Sequence, residues 1–483
     1  MLDARRPTAF KDLKFLKKLQ LPDEADWQTE LHLIQQNLKM RRVFIQTYGC
    51  QMNEYDSDQM YRLLEARGFQ KSKDAESADL LLINSCSVRE KSETKALSFL
   101  GRLAQLKKKD PRKVIGFGGC VGQTEGPKLL KRHSFLDFAF GTNDYREIPK
   151  MIEKFWQDEV ESDEFDNLVS KSRPEFQSQA FLTITNGCDK FCSYCIVPFT
   201  RGREFSRTPE EIINEASDLV RTGVKEIMLL GQNVNSYWGK DHAGKPTSLH
   251  ELLVMFQKES ETGRLQGLKR LRYTTSHPRD FDEELAKDFR DLSILCEYLH
   301  LPFQAGSDQV LKKMRRFYSI ESYLKKMEMV KKYCPGIALS TDIIVGFPGE
   351  TREDFESTLR VVREVEFDNV YSFKYSIRPY TRSAQWEDDV SPEEKSERIQ
   401  ELQALQKEIS RKKYAEDLNQ VREIMLEGVS KSNSNFWTGR TRTNRVDHVP
   451  SQAHYLVGDL IEAEITDSTH SWLTAQEFRI KIA

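Results

Sequence analysis

The sequence predicts an α/β protein in three folded parts. These are an amino-terminal doubly wound parallel α/β domain over residues 42–157, a central partial (β/α)6 barrel over 174–412, and a small carboxy-terminal antiparallel β-barrel over 415–480. Three observations lead there. Short apolar runs alternate with amphipathic stretches up to Ala415, the pattern of parallel strands covered on both faces. The runs end in small, polar or cysteine residues, at the strand ends where such sheets and barrels bind ligands. Beyond Ala415 the pattern changes to short alternating strands.

With 483 residues the chain has length for a full core in each part. Charged residues make up 31% and balance to −2, so no global field marks a nucleic-acid or membrane partner, although a local patch would suffice. No apolar run nears the ~20 residues that span a bilayer. The stretch Met1 to Gln20 is basic but lacks the apolar core of a secretion signal. Residues 1–41 read as a helical extension, with Phe10, Leu13, Phe15, Leu16 and Leu19 as its apolar positions. Eight cysteines in so charged a chain point to metal or redox thiols in a reducing cytoplasm rather than to disulfides.

In the first part, strands are expected over 43–50, 79–86 and 114–120, with helices over 56–66 and 89–107 between them. Cys50, Cys86 and Cys120 close the three strands. More than thirty residues separate each from the next. Three buried structural cysteines are one reading, but the common position favours a shared site. An acidic stretch over 157–179 reads as a linker. Six strand–helix units follow, with strands over 181–185, 226–230, 271–275, 298–302, 337–345 and 370–376. A helix then starts with Ser391 as N-cap, Pro392 at the first position and Glu394 completing a capping box. Its stripe of Ile399, Leu402, Leu405 and Ile409 is too short for a coiled coil and is expected to pack on the barrel. The alternation from Val421, as in Leu460 to Ile465, suggests a five-stranded barrel of oligonucleotide-binding type.

Cys188, Cys192 and Cys195 form a Cys-x3-Cys-x2-Cys triplet on the loop after the first barrel strand. Structural zinc takes four closed ligands and iron–sulfur clusters usually take four cysteines. Three thiolates therefore suggest a centre with one position left open. They could hold three irons of a four-iron cluster whose fourth iron an amine and carboxylate would chelate; a three-thiolate zinc site is the alternative. Gln232, Asn233 and Asn235 follow the second strand, and Ser276 and His277 the third. Each could face a cofactor or simply cap loop backbone. The loop from Gly346 to Thr351 only loosely suggests phosphate binding and is expected to shape a pocket. Cys296 and Cys334 read as structural.

The triplet, with Tyr194 before its last cysteine, resembles the radical S-adenosylmethionine superfamily. The resemblance implies a 4Fe-4S cluster on Cys188, Cys192 and Cys195, with S-adenosylmethionine on the open iron and cleaved to a 5′-deoxyadenosyl radical. From Arg42 to Ile482 the chain is similar to the methylthiotransferases. Thr47-Tyr48-Gly49-Cys50-Gln51-Met52-Asn53, Cys86-Ser87-Val88-Arg89-Glu90-Lys91, Pro198 to Glu204 and Leu230 to Asn235 resemble the branch that modifies N6-dimethylallyl-adenosine beside the tRNA anticodon. That branch implies a second 4Fe-4S cluster on Cys50, Cys86 and Cys120 that supplies or carries sulfur, and a terminal barrel of the TRAM type. It also implies a tRNA anticodon stem-loop as substrate, an electron donor, a sulfur donor or cluster-assembly protein, and no membrane. The expected cofactor contacts are Gln232, Asn233, Asn235, Ser276, Gln304 and Tyr194.

The chain departs from the family at Ala305, where serine is frequent, and in Arg378-Pro379-Tyr380-Thr381-Arg382, where Arg-Pro-Gly-Thr-Pro is frequent. These positions bear on the substrate rim. Sister enzymes act on threonylcarbamoyl-adenosine or on a ribosomal-protein aspartate. The first motif argues against the former and an arginine cluster against the latter. A non-catalytic iron–sulfur RNA-binding or electron-carrier protein would not need an open iron. For RNA, residues 415–483 hold seven Lys/Arg against ten Asp/Glu, yet Trp437, Arg440, Arg442 and Arg445 fall together. Arginines on phosphates and an aromatic on a base suit single-stranded RNA, and a solvated hairpin is the alternative.

Overall fold

The computed structural model describes residues 41–88, 90–156 and 177–481. The expected extension before residue 41, the linker from 157 to 176 and Arg89 lie outside them. The first unit contains β1 (Arg42–Thr47), α1 (Gln51–Glu65), β2 (Gln70–Lys71), β3 (Leu80–Ser85), α2 (Glu90–Lys109), β4 (Val114–Gly118), α3 (Gly119–Arg132), β5 (Phe138–Ala139) and α4 (Ile148–Glu153). Its strands pair in parallel in the order β2-β1-β3-β4-β5. β3 is central and all six of its residues are buried, which explains its unbroken apolar run. One core, with Leu81, Ile83, Phe99 and Ile115, covers one face, and another, with Val43, Leu80, Leu82 and Phe138, covers the other. Cys50 and Cys120 are not strand ends as expected. Cys50 is the N-cap of α1, and Cys120 is the second residue of α3.

The second unit carries β6 (Gln179–Thr183), β7 (Thr185–Asn186), α5 (Val197–Thr200), β8 (Phe205–Ser206), α6 (Pro209–Arg221) and β9 (Glu226–Leu230). The chain continues with β10 (Trp238–Lys240), β11 (Pro246–Ser248), α7 (Leu249–Thr262), β12 (Arg270–Tyr273), α8 (Glu283–Asp291) and β13 (Tyr298–His300). It ends with α9 (Asp308–Met314), α10 (Ile320–Tyr333), β14 (Ala338–Val345), α11 (Arg352–Val365), β15 (Asn369–Lys374) and α12 (Pro392–Ala415). Six strands form two parallel sheets, β12-β9-β6 and β13-β14-β15. Leu271 joins them, donating to the Ile294 carbonyl and accepting from Cys296. One core from Leu182 to Ile409 packs the strands against the helices.

Ser391 caps α12 by accepting from the Glu394 amide at 3.1 Å. The expected capping box is only half made, because the Glu394 carboxylate turns to Arg398 one turn along. Leu402 and Ile409 are buried on the barrel, flanked by Ile399 and Leu405. The last unit, β16 (Val421–Val429), β17 (Phe436–Thr441), β18 (Val446–Pro450), β19 (Leu460–Ser468) and β20 (Leu473–Lys481), closes in the order β16-β17-β18-β20-β19. It is not wholly antiparallel. Directions cannot alternate around a ring of five, and the odd pair is β18 with β20, parallel at Asp447↔Leu473.

Candidate active site

Cys188, Cys192 and Cys195 share the loop that leaves β7. Gly187 starts it with φ +76°, and a Cβ there would lie 2.1 Å from the Arg203 carbonyl oxygen. This backbone crossing admits only glycine. The Gln232 side chain accepts from the Gly187 amide at 2.5 Å, and Cys188 N donates to Gly202 O at 3.2 Å. Further along, Ser193 N and Oγ donate to the Met314 and Lys313 carbonyls at the end of α9. Lys190 pairs with Asp280 at 2.5 Å, fixing the loop to the segment after β12. Burial pushes the Cys188 thiol up to about 11 and the Cys195 thiol up to about 12, so a cationic centre is what would hold them as thiolates. Arg316 is the protein cation at hand. Its Nη1 donates to Cys192 Sγ at 3.5 Å, Nη2 to Pro302 O at 2.9 Å, and Nε to Tyr318 Oη at 3.2 Å.

The expected cofactor contacts divide. Asn235 is fully used as a clamp: Nδ2 donates to His277 O at 2.9 Å, and Oδ1 accepts from His277 N at 2.7 Å. Gln232 holds the cysteine loop. Both side chains position backbone in this structure. His277 is also a cap, with Nδ1 accepting from Arg279 N, and burial and Arg316 hold its ring neutral. Asn233 Nδ2 donates to Asp280, but its Oδ1 has no partner among the described residues. Ser276 Oγ and Thr185 Oγ1 are likewise buried and unpartnered there. Three unmatched polar atoms, at the start of β7 and just past β9 and β12, suit a polar ligand beside the triplet. Gln304 is buried with φ 71°, bridging by its backbone to Asp342 and Ile344. Tyr194 sets its ring edge on Phe347. The Gly346 loop is closed on itself by Glu350, which accepts from Gly346 N and Arg398. Cys296 and Cys334 are buried, as structural thiols should be.

The other three cysteines come together over the first sheet. Gly119 (φ +83°) lets α3 start against β3, where a Cβ would meet Ser85 O at 2.3 Å. Asn53 and Asn84 lock α1 to the same strand end, with Asn53 Nδ2 on Ser85 O and Asn84 Nδ2 on Asn53 O. The Cys86 thiol lies within hydrogen-bonding reach of both neighbouring sulfurs and shares its one proton with them. Those bonds hold Cys50 down to about 6 and Cys120 to about 7, aided by Arg201, while Cys86 is raised. Cys50 and Cys120 also sit at the N-termini of α1 and α3, where the helix dipole favours thiolate. Among the described residues no group of three or more His, Cys, Asp or Glu side chains is arranged to hold a metal ion. Thiolates of a four-iron cluster each bind a different iron, so unlike zinc ligands they need not converge on one point.

Sequence reasoning missed Arg201. It is buried between the two units, pairs with Asp56 at 2.6 Å and flanks Cys50 and Cys120. Nearby, Thr142 Oγ1 donates to Thr200 O, and Asn186 Nδ2 to Asn143 Oδ1. The two cysteine sets thus belong to one seam. A recurring Gly-Cys pair, at 49–50, 119–120 and 187–188, is the signal that could have linked them.

The residues of the expected RNA cluster make these contacts within the protein. Trp437 lies in the barrel core against Tyr455. Arg440 pairs with Glu427 at 2.7 Å, and Arg442 with Glu297 at 2.8 Å. Arg445 is buried between Asp368, at 2.6 Å, and Asp417. Among the described residues, no helix is long and apolar enough to cross a membrane.

Residues 182–362 match the Radical SAM superfamily, and residues 42–141 match the Uncharacterized protein family UPF0004. A tRNA-2-methylthio-N(6)-dimethylallyladenosine synthase of Sulfurihydrogenibium sp. is 44% identical over 88% of this chain and 96% of that protein. The synthase of the same name from Caldicellulosiruptor saccharolyticus is 43% identical over 90% and 92%. The radical S-adenosylmethionine methyltransferase TsrM of Kitasatospora setae superimposes with a TM-score of 0.53 at 14% identity, over 71% of this chain and 75% of that one, a likeness of fold.

Proposed function

The chain belongs to the family of tRNA-2-methylthio-N(6)-dimethylallyladenosine synthases, and from that premise we propose that it transfers a methylthio group to C2 of N6-dimethylallyladenosine beside the tRNA anticodon. In this reading Cys188, Cys192 and Cys195 hold a 4Fe-4S cluster with an open iron for S-adenosylmethionine, and Cys50, Cys86 and Cys120 hold a second cluster that carries sulfur. The first cluster, when bound, would supply one electron to S-adenosylmethionine, and a second S-adenosylmethionine would supply the methyl group. The chain's own residues do the rest. Gln232, Lys190 and Ser193 fix the cysteine loop, Asn233 and Ser276 offer polar atoms to the cofactor, and Arg201 holds the two units in register. We assign residues 42–157 to a doubly wound cluster domain, 174–412 to the radical core and 415–480 to a TRAM domain. An electron donor and a sulfur donor or cluster-assembly protein would complete the cycle in the cytoplasm.

The observation that supports this reading most is that both cysteine sets lie along one seam between the units, tied together by Arg201 and Asp56. Cells lacking the protein should accumulate the dimethylallyl nucleoside in tRNA and lose its 2-methylthio derivative. Persistence of that derivative, with no second enzyme to make it, overturns the substrate. Anaerobic reconstitution should give two clusters, one lost with alanine at each cysteine set.

A further inference from the structure

Resting on that RNA substrate, we infer that Tyr380 and Arg382 form a contact for unpaired RNA at the cleft rim, the Tyr380 ring stacking on a base and the Arg382 guanidinium meeting a phosphate. Residues 378–381 make a tight turn, in which Thr381 N and Oγ1 both donate to Arg378 O, at 3.4 and 2.7 Å. Proline stands second and a residue with φ 69° third, the pattern of a type II turn, whose third position favours glycine. A bulky side chain in that conformation is an outlier, and such outliers gather at binding sites. The fold does not bury this ring: Tyr380 is 54% exposed. It lies at 33° to Phe199, itself 47% exposed, with centroids 6.0 Å apart.

The position fits a substrate contact. Phe199 lies on α5, four residues after Cys195 and two before Arg201. Across the seam, Arg378 donates to the carbonyl of Val88, two residues past Cys86, at 2.9 Å. Lys128, on the helix that carries Cys120, is close enough to interact electrostatically with Tyr380. The ring pair therefore lies where the two units meet, and Val88 and Ile377, at and next to the Arg378–Val88 contact, are exposed apolar residues too. Exposed apolar groups clustered at a cleft mark an interaction surface. Arg382 supplies the charge complementarity. It is exposed, and its side chain has no ion-pair partner among the described residues. Rings with a free arginine next to them suit splayed bases and their backbone better than a protein or lipid surface.

The test uses the reconstituted full-length enzyme and a hairpin with the sequence of a tRNA anticodon arm. Tyr380→Gly should weaken binding about tenfold. It should not lower the thermal midpoint, because glycine adopts this φ without strain. Arg382→Gln should reduce the slope of log K against log salt by about one phosphate contact. Native affinity in Tyr380→Gly, or a loss matched by a fall in thermal stability, overturns the stacking role. An unchanged salt slope overturns the phosphate contact. If the native enzyme itself fails to bind the hairpin, the substrate reading fails and this contact with it.

Discussion

Arg201 Nη2 and Asp56 Oδ2 stand 2.6 Å apart, with side chains only 5% and 6% exposed, where the first sheet's domain rests on the radical core. Removing one partner of such a buried pair strands the other charge and costs about 3–5 kcal/mol. Asp56→Asn keeps the shape and removes the charge. We expect a lower thermal midpoint and partial loss of iron, confined to the cluster on Cys50, Cys86 and Cys120. Calorimetry with iron analysis checks this, and full iron with an unchanged midpoint would make the pair incidental.

Arg316 is buried against Cys192 and forms no carboxylate ion pair among the described residues, so its charge is directed at that sulfur. A four-iron cluster gains negative charge on reduction, and a cation with an N–H···S bond favours the reduced form. Arg316→Gln should therefore shift the cluster potential to more negative values. The expected change is about tenfold less reduced cluster at a fixed potential, ~59 mV for one electron. Arg316→Lys should restore part of it. A redox titration followed by EPR of the signal that responds to S-adenosylmethionine reads the shift; an unmoved potential in a fully loaded variant would leave Arg316 a packing residue.

Arg445 was legible as a cation and not as a buried one. Its carboxylate partners, Asp368 and Asp417, lie 77 and 28 residues upstream. Arg442 finds Glu297 and two backbone carbonyls in the core. The fully buried Arg270 and Arg272 reach back from β12 to the carbonyls of Arg440, Thr441 and Arg442. Arg445→Ala should destabilise the docked barrel by about 3 kcal/mol or more, as broken buried pairs do. The salt slope of tRNA binding should not change, because no phosphate contact is lost. A reduced slope with native stability would return Arg445 to the RNA face.

Local pattern was sufficient where local physics decides. The six buried residues of β3 and the Ser391-Pro392 start of α12 follow from their own sequence. It failed where distant segments meet. Nothing near Arg201 announces Asp56, 145 residues away, and nothing near Asn235 announces the His277 backbone it clamps. Gln232 and Asn233 are adjacent in sequence, yet one holds the cysteine loop and the other keeps an unpartnered oxygen at the strand end.

Gly187 is the sharpest single test of the core cysteine site. Its φ of +76° disfavours any side chain, and an added Cβ would meet the backbone of Arg203 and Gly202, which no rotamer change relieves. The strand pair Thr185↔Ser206 and Asn186↔Phe205 would have to open to admit it. Opening that pair displaces Cys188 relative to Cys192 and Cys195, which stay tied to α9 through Ser193. Gly187→Ala should therefore lose the cluster of the core site while keeping the one on Cys50, Cys86 and Cys120, so bound iron falls by about half. S-adenosylmethionine cleavage under dithionite should disappear with it. Iron analysis and Mössbauer spectra of the variant beside a Cys188→Ala control measure the effect, and a variant with native iron content would show that this crossing does not govern the site.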